Sequence, residues 1–370
     1  MAGFSRPVSA RTRPTRERAT VPVKLTEVAR LAGVSLATAS RVLNGSSRTP
    51  AAGIAERVKA AAEELGYVAN AQAQALARST TGLVGLVVHD IADPYFSAIA
   101  HGVQQAALDS RHQVLLAGTD LGGDGDSSAD AELAAVNAFI SYRTDAIILA
   151  ASRLLAEDPR LAKALARYMD NGGRVVTLGD SEIPGARAVQ VDNLDGASAL
   201  VTALIESGID RFAILAGPHE RNTARIRVAG FTRALSAAGL APESVVHGAF
   251  TSRGGNEATL ELLDSLGVSA GAGDGAAPLC ILAANDVMAL GAMTALRTRG
   301  LNIPGDVQVA GFDDIPTLRD HSPALTTYRL PLEEIGRLAA GLALAPDAAG
   351  HASVTGTVVL RESAGQARGA

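Results

Sequence analysis

At 370 residues the chain is too long for a single small module, and two or three domains are expected. Its formal charge of −5 conceals a polarity: residues 1–80 carry 12 Lys and Arg against 5 Asp and Glu, a net of +7, and the rest carry 21 against 33, a net of −12. A basic end on an acidic body favours a polyanion at one end only, and the single Cys280, inside the apolar run LCILAA, excludes an intramolecular disulfide and argues against a zinc site.

Residues 1–20 are rich in Arg, Ser and Thr without an apolar core, so they read as a disordered basic arm rather than an export signal. Val23–Asn44 (VKLTEVARLAGVSLATASRVLN) reads as two short helices joined by Gly33-Val34-Ser35. Leu25, Val28, Ala29 and Ala32 share one face of the first helix; Ala39, Val42 and Leu43 share one face of the second. Gly33 tolerates the positive φ of a sharp turn, and Ser35 is placed to cap the second helix. This is the pattern of a helix-turn-helix, whose second helix enters the DNA major groove, so nucleic acid is the first candidate partner. A third helix is expected from about Pro50 to Leu65, with Ile54, Val58, Ala61, Ala62 and Leu65 on its apolar face. Gly66-Tyr67 ends it, and Asn70–Ala77 (NAQAQALA) is a marginal helix that serves as linker.

From Leu83 the pattern becomes strand–helix alternation. Leu83–Val88, Gln113–Ala117, Ala146–Ala151 and Arg174–Leu178 are apolar runs suited to buried parallel strands. Helices near Tyr95–Asp109, Ser127–Tyr142 and Pro159–Asn171 separate them. A second series, Ala188–Val191, Phe212–Ala216, Val245–Phe250, Leu279–Ala284 and Val307–Phe312, alternates with helices near Leu194–Ser207, Thr223–Ala238, Gly255–Leu266 and Val287–Arg299. The predicted fold class is an all-α head followed by an α/β core of two doubly wound parallel-sheet subdomains, with a ligand cleft between them. Asp120–Asp126 and Ser269–Ala277 read as Gly/Asp-rich surface loops. Asp, Arg or Gly interrupts every apolar stretch short of membrane-spanning length, so no membrane contact is expected.

From about Val21 to Ser363 the sequence resembles the LacI/GalR family of bacterial transcriptional regulators. The resemblance rests on LTEVARLAGVS with TASRVLN, and on EELGYVAN in the head. In the body it rests on GLVGLVVHDIADPYF, LAGPHERNTARIRVAGF, LAANDVMALGAM, GDVQVAGFDD and PALTTYRLP, in that order. It implies a helix-turn-helix domain at 21–68, a hinge helix or linker at 69–80 and a periplasmic-binding-protein-like effector and dimerisation core at 81–363. Residues 364–370 are expected to form a disordered tail. Within the core, 81–185 and 326–345 are assigned to the N-subdomain, 186–325 and 346–363 to the C-subdomain. The implied protein is a cytoplasmic repressor that binds a palindromic operator as a homodimer.

Carried over residue by residue, Leu36, Ala37 and Arg41 occupy base-reading positions, with Arg41 suited to bidentate contact with guanine. Thr26, Ser35, Thr38, Ser40, Asn44 and Tyr67 match phosphate-holding positions. Asn70 and Leu76 belong to the hinge segment, where Leu76 wedges into the minor groove or packs against its dimer mate. Lys24 replaces a capping Thr or Ser, and Ala69 a frequent Pro. For the effector, Asp90, Tyr95, Phe96, Ser152, Arg221, Thr223, Arg227, Phe250, Asn285 and Asp313 are the candidate contacts, and Asp286 stands beside them. Asp, Arg and Asn bond hydroxyl pairs while aromatic rings cover apolar sugar faces. Asp313 or Asp286 is alternatively a helix N-cap. Asp93 departs from the family's usual Asn.

The expected effector is a sugar, with a purine or nucleoside as the alternative. The end of the chain, RESAGQARGA, carries no heptad pattern, which favours a dimer. Gly267-Val268-Ser269-Ala270-Gly271 matches a nucleophile-elbow string but follows a helix instead of a strand. The seven His residues show no metal-ligand spacing. No catalytic residue, cofactor or metal is therefore expected. A binding protein with no DNA role explains the core but leaves the basic head unaccounted for.

Overall fold

The computed structural model describes residues 23–44, 52–68, 80–119, 125–150, 158–179, 183–269, 277–345 and 350–365. They fall into two compact units divided between Thr81 and Gly82. The basic arm, the hinge segment with Asn70 and Leu76, Ser152, most of both Gly/Asp-rich loops and the side chain of Asn44 lie outside the described residues.

Among its described residues the first unit, the head, has three helices: α1 (Leu25–Leu31), α2 (Leu36–Asn44) and α3 (Ala52–Glu64). Val28, Ala39 and Val58, one from each helix, are fully buried and form its centre, with Ala29, Ala32, Ala61 and Ala62 around them. Small residues at these contacts let three short helices approach closely. Gly33 has φ +64°, as the α1–α2 turn requires. Ser35 Oγ accepts the Thr38 backbone N–H at 3.2 Å and so caps α2. The Lys24 ammonium has no acceptor with which to cap α1, but the Glu27 carboxylate accepts the Lys24 backbone N–H at 2.9 Å. The first helix therefore keeps the reciprocal half of a capping box, with an anion in its first turn.

The second unit has two lobes, each a six-stranded sheet. The first contains β1 (Leu83–Val88), β2 (Gln113–Gly118), β3 (Ala146–Leu149), β4 (Arg174–Leu178), β5 (Arg187–Val191) and β11 (His351–Val354), in the order β11-β5-β4-β3-β1-β2. The second contains β6 (Phe212–Ala216), β7 (Val245–His247), β8 (Leu279–Ala283), β9 (Val307–Asp313), β10 (Thr326–Arg329) and β12 (Thr357–Val359), in the order β12-β10-β9-β8-β6-β7. All pairings are parallel except β10–β12. β3, β6 and β8 are buried along their whole length, which is why they read as unbroken apolar runs.

The crossing helices are α4 (Pro94–Asp109), α5 (Gly125–Ser141), α6 (Pro159–Asp170), α7 (Asn193–Glu206), α8 (Asn222–Ala237), α9 (Ser252–Leu266), α10 (Asp286–Thr298) and α11 (Leu332–Leu344). Side-chain caps set several of their starts: Asp93 for α4, Asp158 for α6, Thr251 for α9 and Asn285 for α10. Helix α5 begins at Gly125, inside the stretch read as loop. Helix α11 packs on α4 in the first lobe, and a Cβ on Gly102 would lie 2.0 Å from the Glu333 carbonyl oxygen, so only glycine permits that crossing. No helix among the described residues is long and apolar enough to cross a membrane.

The assigned subdomain boundaries need three corrections. β5 pairs with β4 and belongs to the first lobe, although residues from 186 were assigned to the C-subdomain. β10 pairs with β9 in the second lobe, although 326–345 were assigned to the N-subdomain. β11 pairs with β5 in the first lobe, although 346–363 were assigned to the second. The chain thus crosses between lobes three times: after β5, after β10, and between β11 and β12. These crossings are tied to one another. The Asp192 N–H donates to Val354 O at 3.1 Å, and the Gly356 N–H donates to the Tyr328 hydroxyl at 2.9 Å.

Candidate functional site

Two surfaces gather the residues singled out from the sequence. On the head, burial of Ala39 fixes the roll of α2, so that Leu36, Ala37 and Arg41 are exposed together. Leu36 is 48% exposed and so open to an apolar contact with a base. Thr26 is exposed, Ser40 half-buried, and Tyr67 packs partly against the head core. Ser35 and Thr38 are engaged with each other, their hydroxyls 2.9 Å apart. Their hydroxyls serve the cap, and the cap orders the first-turn amides of α2, which are themselves phosphate donors.

On the second unit an open cleft lies at the C-terminal ends of strands from both sheets. Asp90, Tyr95 and Phe96 line it from the first lobe; Arg221, Thr223, Arg227, Phe250, Asn285 and Asp313 line it from the second. Asp286 does not. It is fully buried beneath the floor, where its carboxylate accepts the Ile315 N–H at 2.9 Å and the Thr327 hydroxyl at 2.7 Å. The helix cap at this point is Asn285, which accepts the Met288 N–H at 2.9 Å. Phe250 does not end a strand, since β7 stops at His247. The ring instead lies against Gly217, where a Cβ would come within 2.2 Å of it.

Arg227 is the centre of the site. It projects from α8 and is 3% exposed. Its Nη2 donates to Asp313 Oδ1 at 2.7 Å and its Nη1 to Asp313 Oδ2 at 3.3 Å. Nη1 also donates to the Ala284 carbonyl at 2.8 Å, and Nε to Asn193 Oδ1 at 2.9 Å. The guanidinium carbon stands 4.0 Å from the Phe312 ring centroid. Asp313, at the end of β9, has φ +114°, and Asp314 follows at +56°. Such backbone costs on the order of 1–3 kcal/mol and persists only where the surroundings hold it. Here Asp314 is gripped by Arg329 and Arg361, each at 2.6 Å. Burial pushes the Asp313 carboxyl up to about 6, against the pull of Arg227.

The opposite wall is acidic and aromatic. Asp93 caps α4 by accepting the Tyr95 N–H at 2.9 Å, and Asp90 accepts the Ala92 N–H at 2.8 Å. Burial raises the Asp93 carboxyl above the usual range, with a further upward contribution from Asp90. Tyr95 and Phe96 meet edge to face, with centroids 4.9 Å apart. Arg221 donates to Ser128 Oγ at 3.2 Å, joining the start of α8 to α5 of the other lobe. Bidentate polar groups on one side and ring faces on the other suit a polyhydroxylated molecule. Among the described residues no three His, Cys, Asp or Glu side chains are grouped to hold a metal ion.

Further lining residues were not anticipated: His89, Ala150, Leu178, Gly179, Val191, Asn193 and Thr251. Most of them follow or end a strand, so the rule that ligands gather at strand C-termini in doubly wound sheets could have found them.

Residues 24–70 match the lacI family of bacterial regulatory proteins, and residues 201–364 match the periplasmic binding protein-like domain. The HTH-type transcriptional regulator GalR of Escherichia coli (strain K12) is 36% identical over 325 residues, covering 86% of this chain and 88% of its own. Among solved structures, the Lac repressor dimer bound to operator and the anti-inducer ONPF superposes with a TM-score of 0.77 at 28% identity, over 93% of this chain and 99% of that one. The transcriptional regulator CelR–cellobiose complex gives 0.64 at 30% identity, over 92% and 99%. With a helix-turn-helix head and a two-lobed α/β core in the same order, the chain belongs to the lacI family of bacterial regulatory proteins and is a transcriptional regulator, not an enzyme.

Proposed function

We propose that the protein is a repressor that binds a palindromic operator as a homodimer and takes a sugar in the cavity of its core as effector. The observation that carries this reading is the Arg227–Asp313 pair, set in a cavity walled by both lobes. A ligand there touches Asp90, Tyr95 and Phe96 on one lobe and Arg221, Thr223, Arg227, Phe250, Asn285 and Asp313 on the other. Its affinity therefore depends on how far the lobes close about their three crossings. That dependence is the differential interaction an effector needs in order to shift a conformational equilibrium. The Lac repressor structure carries an operator and the CelR structure carries cellobiose, which supports the same two partners here.

On the head, Arg41 reads a guanine through a bidentate contact, and Leu36 and Ala37 meet thymine methyl groups. Thr26, Ser35, Thr38, Ser40, Asn44 and Tyr67 set register on phosphates, and Asn70 and Leu76 of the linker lie over the operator centre. A protein that acts on chromosomal DNA works in the cytoplasm. The test is fluorescence anisotropy with the full chain and duplexes from the region upstream of its own gene. A specific complex released or tightened by a sugar supports the reading; equal affinity for all duplexes overturns it.

A further inference from the structure

We infer that the effector site rejects the phosphate ester of the sugar that it binds. This rests on the reading of the cavity as an effector site.

The charges lining the cavity are unequal: Asp90, Asp93 and Asp313 face Arg221 and Arg227. The cations are also committed. Four N–H bonds of Arg227 are occupied by Asp313, the Ala284 carbonyl and Asn193, and its ring-facing surface rests on Phe312. A phosphate reaches that guanidinium only by expelling a buried bidentate carboxylate. Arg221 is 8% exposed and donates to Ser128. On the opposite wall Asp90 Oδ1 is engaged by the Ala92 N–H and Asp93 Oδ1 by the Tyr95 N–H in the first turn of α4. The second oxygen of each accepts no hydrogen bond from the described residues, and sugar hydroxyls are the donors that suit it.

A phosphate dianion, the main form above about pH 7, has acceptors only, so against that wall it makes no hydrogen bond and meets like charge. Asp90 and Asp93 are half-buried, and like charge set beside them disfavours an anion without any steric block. Burial chiefly, and the charge of Asp90 secondarily, hold the Asp93 carboxyl above its usual range, so this wall already disfavours the negative charge it carries.

The test is titration calorimetry on the full chain with galactose, cellobiose and cytidine, each set against a phosphate ester: galactose 1-phosphate, galactose 6-phosphate, cellobiose phosphate and cytidine 5′-monophosphate. The expected result is that at least one neutral compound binds and that its ester binds on the order of 100-fold more weakly. The Asp93→Asn variant separates charge from shape, because Asn caps a helix as well as Asp does. It is expected to narrow the gap between parent and ester about tenfold while folding with the wild-type melting profile. An ester that binds as tightly as its parent overturns this inference and leaves the effector reading intact. An unchanged gap in Asp93→Asn also overturns it, because rejection is then steric. Binding of none of these compounds, neutral or esterified, removes the polyol reading and this inference with it.

Discussion

Replacing Arg227 with Met keeps the length and apolar bulk of the side chain but strands Asp313 at 3% exposure. Breaking one member of a buried ion pair costs about 3–5 kcal/mol, most of it from the carboxylate left without a counter-charge. The orphaned Ala284 carbonyl and Asn193 amide add to that figure. Asp313→Asn is the matching change, since Asn tolerates the positive φ at this position better than an apolar residue does. The double variant, with neither charge, is expected to recover about 2–4 kcal/mol relative to the sum of the singles. Urea unfolding followed by far-UV circular dichroism reads this, because the chain has no Trp. The sign of the pH effect is fixed. A carboxyl raised above its unfolded value favours the protonated native state, so stability is lost as pH climbs through the raised value. The deficit of Arg227→Met is therefore larger at about pH 8 than at about pH 5. A single-variant cost below about 1 kcal/mol, or a strictly additive double variant, refutes the pairing argument.

Arg41→Ala is expected to cost about 1–3 kcal/mol on the specific duplex and little on random DNA, read by anisotropy at fixed salt. Equal losses on both would make Arg41 a phosphate contact. Gly102→Ala forces a methyl into the Glu333 carbonyl and is expected to destabilise the core by about 1–3 kcal/mol in the same urea assay. A neutral result there means that α4 and α11 can separate freely. Effector affinity is expected to fall, by at most about tenfold per pH unit, as pH drops below about 6 and Asp313 takes up a proton. Calorimetry showing the opposite slope would mean that the ligand prefers the protonated acid.

The parallel strands were legible because helices bury them on both faces, leaving apolar runs such as Phe212–Ala216 and Arg174–Leu178 with no alternation to interpret. The head was legible because α1 and α2 carry one apolar face each and a glycine between them. Lobe membership was not. Whether β5 or β11 joins one sheet or the other is decided by partners far away in sequence, and strands of three to five residues carry no period that reports it. Nor were β10, β11, β12 and α11 resolved as separate elements beforehand. At the cavity, the family resemblance located Arg227 and Asp313, but it did not separate Asn285, which faces the cavity and caps α10, from Asp286, one residue on and buried beneath it. A single step around a helix start reverses the direction of a side chain, and local sequence does not report that. Glu27, three residues after Lys24, is the sequence signal for the reciprocal half of a capping box, which needs no hydroxyl at the cap position.

The most direct test of ligand-gated DNA recognition is selection of duplexes from a random pool by the full chain, repeated with a neutral sugar that calorimetry shows to bind. Enrichment of one inverted repeat, with its affinity changed at least tenfold by the sugar and the change abolished in Arg227→Met, is the predicted result. Failure to enrich any sequence, or an enriched repeat whose affinity ignores every ligand that the core binds, would contradict it.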